Sequence, residues 1–245
     1  MKKCNNLLYS LFFALIGALA CGIILIFSFF INDFMKSKSK VEPVINESSP
    51  VTIVIDAGHG GEDAGAIASD NTYEKDLNLE ISRVLCSLFE LNGTPVKMTR
   101  TEDILLYDYY GDLDNYKGQK KIYDLKNRLR IAEELDNSIY VGIHMNKFPV
   151  EKYNGMQIYY SKNNEKSQII ASKIKDTNKQ YLQPSNKRQI KASDSSIYVL
   201  HNITVPAVLI ECGFISNENE LALLKSSDYQ CKLAIALFSA ISNFT

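Results

Sequence analysis

Three short apolar runs, each leading into a metal-type or acid–base side chain, constrain this chain more than any other feature. Ile53, Val54 and Ile55 run into Asp56, and His59 follows inside a glycine-rich turn, the whole reading TIVIDAGHGGEDAG over Thr52–Gly65. Ile139–Ile143 leads straight into His144 and Asn146, and Val208–Ile210 leads straight into Glu211. An open α/β sheet whose strand ends build one site has this pattern. It predicts an enzyme, and in its sharpest form a hydrolytic zinc enzyme.

The segments between these runs agree with that fold class. A helix is expected over Glu74–Leu91, where Leu77, Ile81, Val84, Leu85 and Leu88 repeat every 3.6 residues. Gly93 ends it, and Val96–Thr99 reads as a short strand. Tyr107–Lys121 is rich in tyrosine, aspartate and glycine and reads as a loop, either a substrate rim or a solvated insertion. Ile122–Leu135 reads as a helix with Leu125, Leu129, Ala132 and Leu135 inward. A strand at Met156–Tyr160 and a helix at Glu165–Gln180 follow, then a basic stretch, Lys187–Lys191, before Ile197–Leu200. Beyond the strand Ala207–Glu211, Asn217 with Glu220 three residues later is a helix-capping pattern, and Tyr229–Ile241 closes the chain as an amphipathic helix. The expectation is one α/β catalytic domain over residues 51–245, with a twisted, mostly parallel or mixed sheet covered by helices on both faces.

Ahead of it, Leu7–Ile31 is 25 residues without a charge, and about 20 apolar residues span a bilayer as a helix. Residues 1–34 are therefore expected to be a signal anchor. Ala18-Leu19-Ala20 resembles a signal-peptidase site and Ala20-Cys21 a lipoprotein site. Either cut would leave the apolar Gly22–Ile31 at the new N-terminus, which favours an uncleaved anchor. Lysines flank both ends, so the positive-inside rule does not orient it, and an extracytoplasmic domain is expected partly from function. Residues 35–50 form a polar linker, which fully extended reaches at most roughly 50 Å.

The formal charge of −1 conceals an asymmetry. The first 40 residues hold five lysines and one aspartate, so the remainder carries −5. An acidic domain offers no nucleic-acid footprint. Five cysteines without a CxxC pair indicate reduced thiols and not a disulfide framework.

Catalytic zinc takes three nitrogen or oxygen ligands and leaves one position open. Among only three histidines, His59 and His144 stand at equivalent strand ends. Two carboxylates compete to be the third ligand: Glu62, as His59-x-x-Glu62 in the manner of zinc carboxypeptidases, or Glu74 in the first turn of a helix. Spacing leaves both open. Glu211 ends a nearly all-apolar strand, where a carboxylate is costly unless paired, metal-bound or exchanging protons. Its alternatives are an ion pair beneath a loop or a general base.

DAGHGGEDAGA (Asp56–Ala66), YEKDLNLEIS (Tyr73–Ser82), MTRTED (Met98–Asp103), YDLKNRLRIAEELDNSIYVGIHMN (Tyr123–Asn146), GMQIYYS (Gly155–Ser161) and VPAVLIECGFISNENE (Val205–Glu220) together resemble the zinc-dependent N-acetylmuramoyl-L-alanine amidases. The resemblance runs in register from about Thr52 to the C-terminus. It implies that His59, Glu74 and His144 hold one zinc ion, that Glu211 is the catalytic acid–base, and that Glu62 is not a ligand. It places His201 at the rim or surface, with Arg100 and Arg128 structural. Asn146 and Arg188 become candidates for touching the substrate, peptidoglycan. Gly142 stands where the family usually has serine. Only Met145–Asn154 separates His144 from Gly155, where some relatives insert a regulatory helix, so an open, uninhibited site is expected. The layout of anchor, linker and catalytic domain looks like the spore-cortex amidases, which strip stem peptides so that muramic lactam can form for germination. A vegetative cell-separation amidase, a carboxypeptidase using Glu62, and a catalytically dead wall-binding protein are the alternatives. A protein activator is possible on this reading and its identity open.

Overall fold

The computed structural model describes residues 49–111 and 118–245, together with Gly22 and Ser28. The chain divides between Ser48 and Ser49, and the architecture below belongs to the second unit. Apart from Gly22 and Ser28, the expected anchor lies outside the described residues, as does the linker up to Ser48. Among the described residues no helix is long and apolar enough to cross a membrane.

Six strands form one mixed sheet: β1 (Thr52–Ala57), β2 (Val96–Met98), β3 (Ser138–Asn146), β4 (Gln157–Tyr160), β5 (Lys191–Ala192) and β6 (Ala207–Phe214), in the order β2-β1-β3-β6-β4-β5. The first four in that order run parallel; β4 is antiparallel to β6, and β5 parallel to β4. The helices are α1 (Glu74–Leu91), α2 (Lys120–Glu133), α3 (Glu165–Tyr181), α4 (Tyr198–Asn202), α5 (Glu218–Leu224) and α6 (Ser227–Ile241), with a final 3₁₀ turn at Ser242–Phe244.

Alternation along the strands sends each residue set to its own layer. Ile139, Val141, Ile143 and Met145 of β3 pack with Ile53, Ile55, Val208 and Ile210 against α1, α3 and α6. On the opposite face, Val54, Tyr140 and Leu209 meet Ile131 and Ala132 of α2 and Val199 and Leu200 of α4. Burial on both faces explains why β1 reads as a continuous apolar run. From β1 the chain crosses one face through α1 to β2, then the other through α2 to β3. The order therefore reverses between β1 and β3, where sheets of this kind open a crevice at their carboxyl ends.

Several boundaries differ from expectation for definable reasons. His144 and Glu211 do not terminate their strands. β3 continues to Asn146 and β6 to Phe214, because the two strands keep pairing across a bulge between His144–Glu211 and Asn146–Phe214. β5 has two residues, too few for any period, and begins at the last residue of the basic stretch. The inward face of α2 is not simply leucine. Leu125, Leu129 and Leu135 are half-buried, while Asp124, Asn127 and Arg128 are deeply buried. That face covers the polar carboxyl end of β1, so it carries hydrogen-bonding groups. The Asn217 cap forms as expected, its side chain accepting from the Glu220 N–H at 3.0 Å. Met145–Asn154 contains the end of β3 and a short loop, with no inserted helix.

Candidate active site

His59 follows β1 with φ at 62°, a left-handed conformation uncommon for a residue with a side chain. Such strain persists only where surroundings over-determine it, and here they do. Arg128 donates to the carbonyls of His59 (2.6 Å) and Ala57 (2.9 Å). Arg100 donates to those of Ala57 (2.8 Å) and Gly58 (3.0 Å), and Asn78 also reaches Gly58 (3.0 Å). Three successive carbonyls are thus turned into the protein, and the imidazole lines a cleft.

That imidazole donates from Nδ1 to Asp63 (3.0 Å) and presents Nε2 to Glu74 Oε1 at 3.2 Å. Glu74, in the first turn of α1 and buried, sets the same oxygen 3.1 Å from His144 Nδ1. Its Oε2 accepts from the Ala66 N–H at 2.7 Å, and Oε1 also accepts from Met145 N–H at 3.0 Å. One ligand atom from each of His59, Glu74 and His144 lies within 4.8 Å of the others.

Burial lowers the proton affinity of His59, but its hydrogen bonds to the Asp63 and Glu74 carboxylates outweigh it and lift the pKa to about 9. Burial works against ionised Glu74, yet the bonds to His144 and His59 hold its carboxyl well below the usual range. Two carboxylates facing one imidazole make a site short of positive charge.

The donor set fits zinc. Ligands about 2 Å from a tetrahedral ion stand roughly 3.3 Å apart, close to the two separations above. A carboxylate on the outer nitrogen of His59 is the usual second partner of a metal-binding histidine. The backbone is shaped around the rings as well: a Cβ on Gly58 would lie 2.2 Å from His144 Cε1, and one on Gly65 2.6 Å from Glu74 Oε2. With zinc as the metal these donors would hold, Gly58→Ala should displace His144 and weaken its binding by about 10- to 100-fold in a chelator competition, with the circular dichroism spectrum unchanged. Wild-type affinity in that variant would refute the cradle.

Glu211 sits directly opposite His144 on the neighbouring strand. Its Oε2 is enclosed without a hydrogen-bond partner. Burial, reinforced by Glu74, pushes its pKa up to about 7 against the opposing pull of His144 and His59. Such a group can both accept and return a proton near neutrality. His59, His144 and Glu211 line one cleft of about 270 Å³ together with Lys121, Leu125 and Tyr198.

Other expected residues stand elsewhere. Glu62 is 63% exposed and pairs with Lys120 at 2.8 Å, so the carboxypeptidase-type ligand set does not assemble. Asn146 is half-buried two residues beyond His144, its carbonyl accepting from Ile215 N–H. Arg188 is not in the cleft lining; its Nε donates to the Asn154 carbonyl and its guanidinium covers the Phe214 ring at 4.6 Å. His201 is exposed on α4. Asp63 and Asn78, which orient His59 and Gly58, carry no spacing signal stronger than an aspartate four residues after a histidine.

Residues 53–243 match the model of the N-acetylmuramoyl-L-alanine amidases. The chain belongs to this amidase family. The amidase is 31% identical over 194 residues to a germination-specific N-acetylmuramoyl-L-alanine amidase of Bacillus subtilis, covering 78% of each chain. It superimposes with a TM-score of 0.72 and 40% identity on the CwlD amidase of Clostridioides difficile, solved in complex with the GerS lipoprotein, over 78% of this chain and 96% of that one. Against the amidase AmiC2 of Nostoc punctiforme the TM-score is 0.65 at 26% identity, over 79% and 96% of the two chains. Its reaction is hydrolysis of the amide between the lactyl group of N-acetylmuramic acid and L-alanine.

Proposed function

We propose that this amidase works with one zinc ion held by His59, Glu74 and His144, uses Glu211 as its proton carrier, and acts on spore-cortex peptidoglycan in preparation for germination. The observation that carries the mechanism is the meeting of those three donors beside an enclosed, unpartnered carboxylate. A bound zinc ion supplies Lewis-acid polarisation of the amide carbonyl and eases deprotonation of the attacking water. The protein's own work is positioning and proton transfer. Asp63 fixes the His59 tautomer so that Nε2 faces the site, and the Ala66 N–H holds the outer oxygen of Glu74. The Glu211 carboxylate takes a proton from the attacking water and delivers it to the leaving nitrogen of L-alanine. A C–O bond replaces the C–N bond, giving a free lactyl carboxylate and a stem peptide with a free amine.

The cortex role draws on the likeness to the germination-specific relative. The proposal includes anchoring by residues 1–34 with the catalytic domain outside the cytoplasm, and a protein partner of the kind with which the CwlD amidase was solved.

Full-length protein incubated with purified peptidoglycan should release free stem peptides, detected by mass spectrometry, and chelator should abolish the release. Glu74→Ala should lose the metal while Glu62→Ala keeps it. Chelator-resistant release, or metal loss in Glu62→Ala alone, would overturn the site. For the cortex role, spores of a strain lacking the gene should contain no muramic lactam; normal lactam content would refute it.

A further inference from the structure

The basic stretch Lys187–Lys191 plays no part in the metal site, yet it borders the same end of the sheet. On the cleft face, Gln157 pairs with Glu211 and Tyr159 with Leu209, and β5 brings Lys191 beside Tyr159. The Lys191 ammonium lies 6.0 Å from the Tyr159 ring centre. The Tyr159 hydroxyl, raised first by burial, is raised further by Glu211 and drawn back by Arg188, so one side chain lies within the field of both.

Arg188 is built into place. Its guanidinium stacks on Phe214, which is 3% exposed. Its Nε is spent on Asn154 O at 2.9 Å, and its backbone N–H on Asn186 Oδ1. The two terminal NH₂ groups have no hydrogen bond or ion pair among the described residues. Lys152 and Lys187 line the same shallow cleft of about 360 Å³, and no acidic side chain does. A stacked, half-buried guanidinium with a free fork is preorganised for a carboxylate. In a domain of charge −5, such a cluster is a local exception.

Resting on the amide-hydrolysis reading above, we propose that Arg188, supported by Lys191, binds the free α-carboxylate of the second stem-peptide residue and so fixes the direction in which the peptide leaves Glu211. Such a carboxylate is free wherever the second residue is an acidic one that continues the chain through its side chain. The distances suit it. Stepping from β6 across β4 to β5 covers roughly 10 Å; two extended residues cover roughly 7 Å, and the long arginine and lysine side chains span the remainder.

The test compares two soluble muramoyl-peptides that differ only in that group, one with the α-carboxylate and one with the α-amide, using zinc-loaded full-length protein. Wild type should favour the carboxylate on the order of 10-fold or more in kcat/KM. Arg188→Gln should raise KM for the carboxylate substrate on the order of 10- to 100-fold, leave the amide substrate within about 2-fold, and lose the preference. Arg188→Lys should regain part of it, and Lys191→Gln should lose a smaller part. Equal losses on both substrates would assign Arg188 a purely structural role and overturn the proposal, as would a wild type without preference. Cleavage of neither substrate by wild type would instead overturn the amide-hydrolysis reading, and this one with it.

Discussion

Glu211→Gln should leave zinc content unchanged, lower kcat by about 10³-fold or more, and raise the melting temperature of the metal-free protein at pH 8. The first two outcomes follow from its place opposite His144 with no other base of comparable setting in the cleft. The third follows from linkage. The carboxyl rises from 4.5 to about 7 on folding, so between those pH values the folded chain binds more protons than the unfolded one. Stability therefore falls as pH rises through that window, by about 3 kcal/mol once the group is ionised. Glutamine removes the loss. The advantage of the variant should vanish at pH 4, where both states of the wild type hold the proton. A variant turning over at the wild-type rate would refute the catalytic role, and a stability gain independent of pH would refute the electrostatic one.

The second large effect concerns stability. Arg128, 2% exposed, bonds Asp56 at 2.6 Å and Asp124 at 2.7 Å, while Thr99 (2.6 Å) and Tyr140 (2.5 Å) complete the shell around Asp56. Replacing two charges by apolar groups can be harmless, but removing one partner leaves the other buried and uncompensated, at about 3–5 kcal/mol. Arg128→Ala should cost at least that, a large part of a typical domain's 5–15 kcal/mol, read as a shift in the denaturant midpoint. The pH dependence separates this mechanism from a simple cavity. Burial works against ionised Asp56, but Arg128, then Thr99 and Tyr140, hold its pKa below the ordinary 3.8. In the wild type that contribution is present above pH 3.8 and is lost as pH falls below it. In Arg128→Ala the isolated carboxyl gains by protonation, so the gap between the two proteins should narrow toward pH 3. A constant gap would point to lost packing alone.

What could be read from the sequence follows physical regularity. α1 occupies Glu74–Leu91 as expected, because its apolar stripe, its acidic first turn and Gly93 all agree. β1, β3 and β6 are legible because burial on both faces demands unbroken apolar runs. The donors His59, Glu74 and His144 were identifiable as residues, but the choice of Glu74 over Glu62 came from family resemblance and not from spacing. The folded chain brings Glu74 to the histidines through Met145 and Ala66 backbone groups, contacts that no periodicity encodes. The polar face of α2 escaped a reading built on leucines, since Asp124, Asn127 and Arg128 serve the β1 carboxyl end and not the apolar core. Asp63 escaped for a similar reason: its role depends on a left-handed histidine, which local sequence does not announce.

The bulge between β3 and β6 has a consequence of its own. From His144 to Asn146 is two residues, while from Glu211 to Phe214 is three, so the surplus residue resets which way the later side chains of β6 point. Regular alternation over the same three residues would instead send Phe214, and the guanidinium resting on it, to the other side of the sheet, while leaving Glu211 in register. One inserted residue thus keeps the proton carrier and the platform under Arg188 on the same side of a strand whose plain alternation would part them.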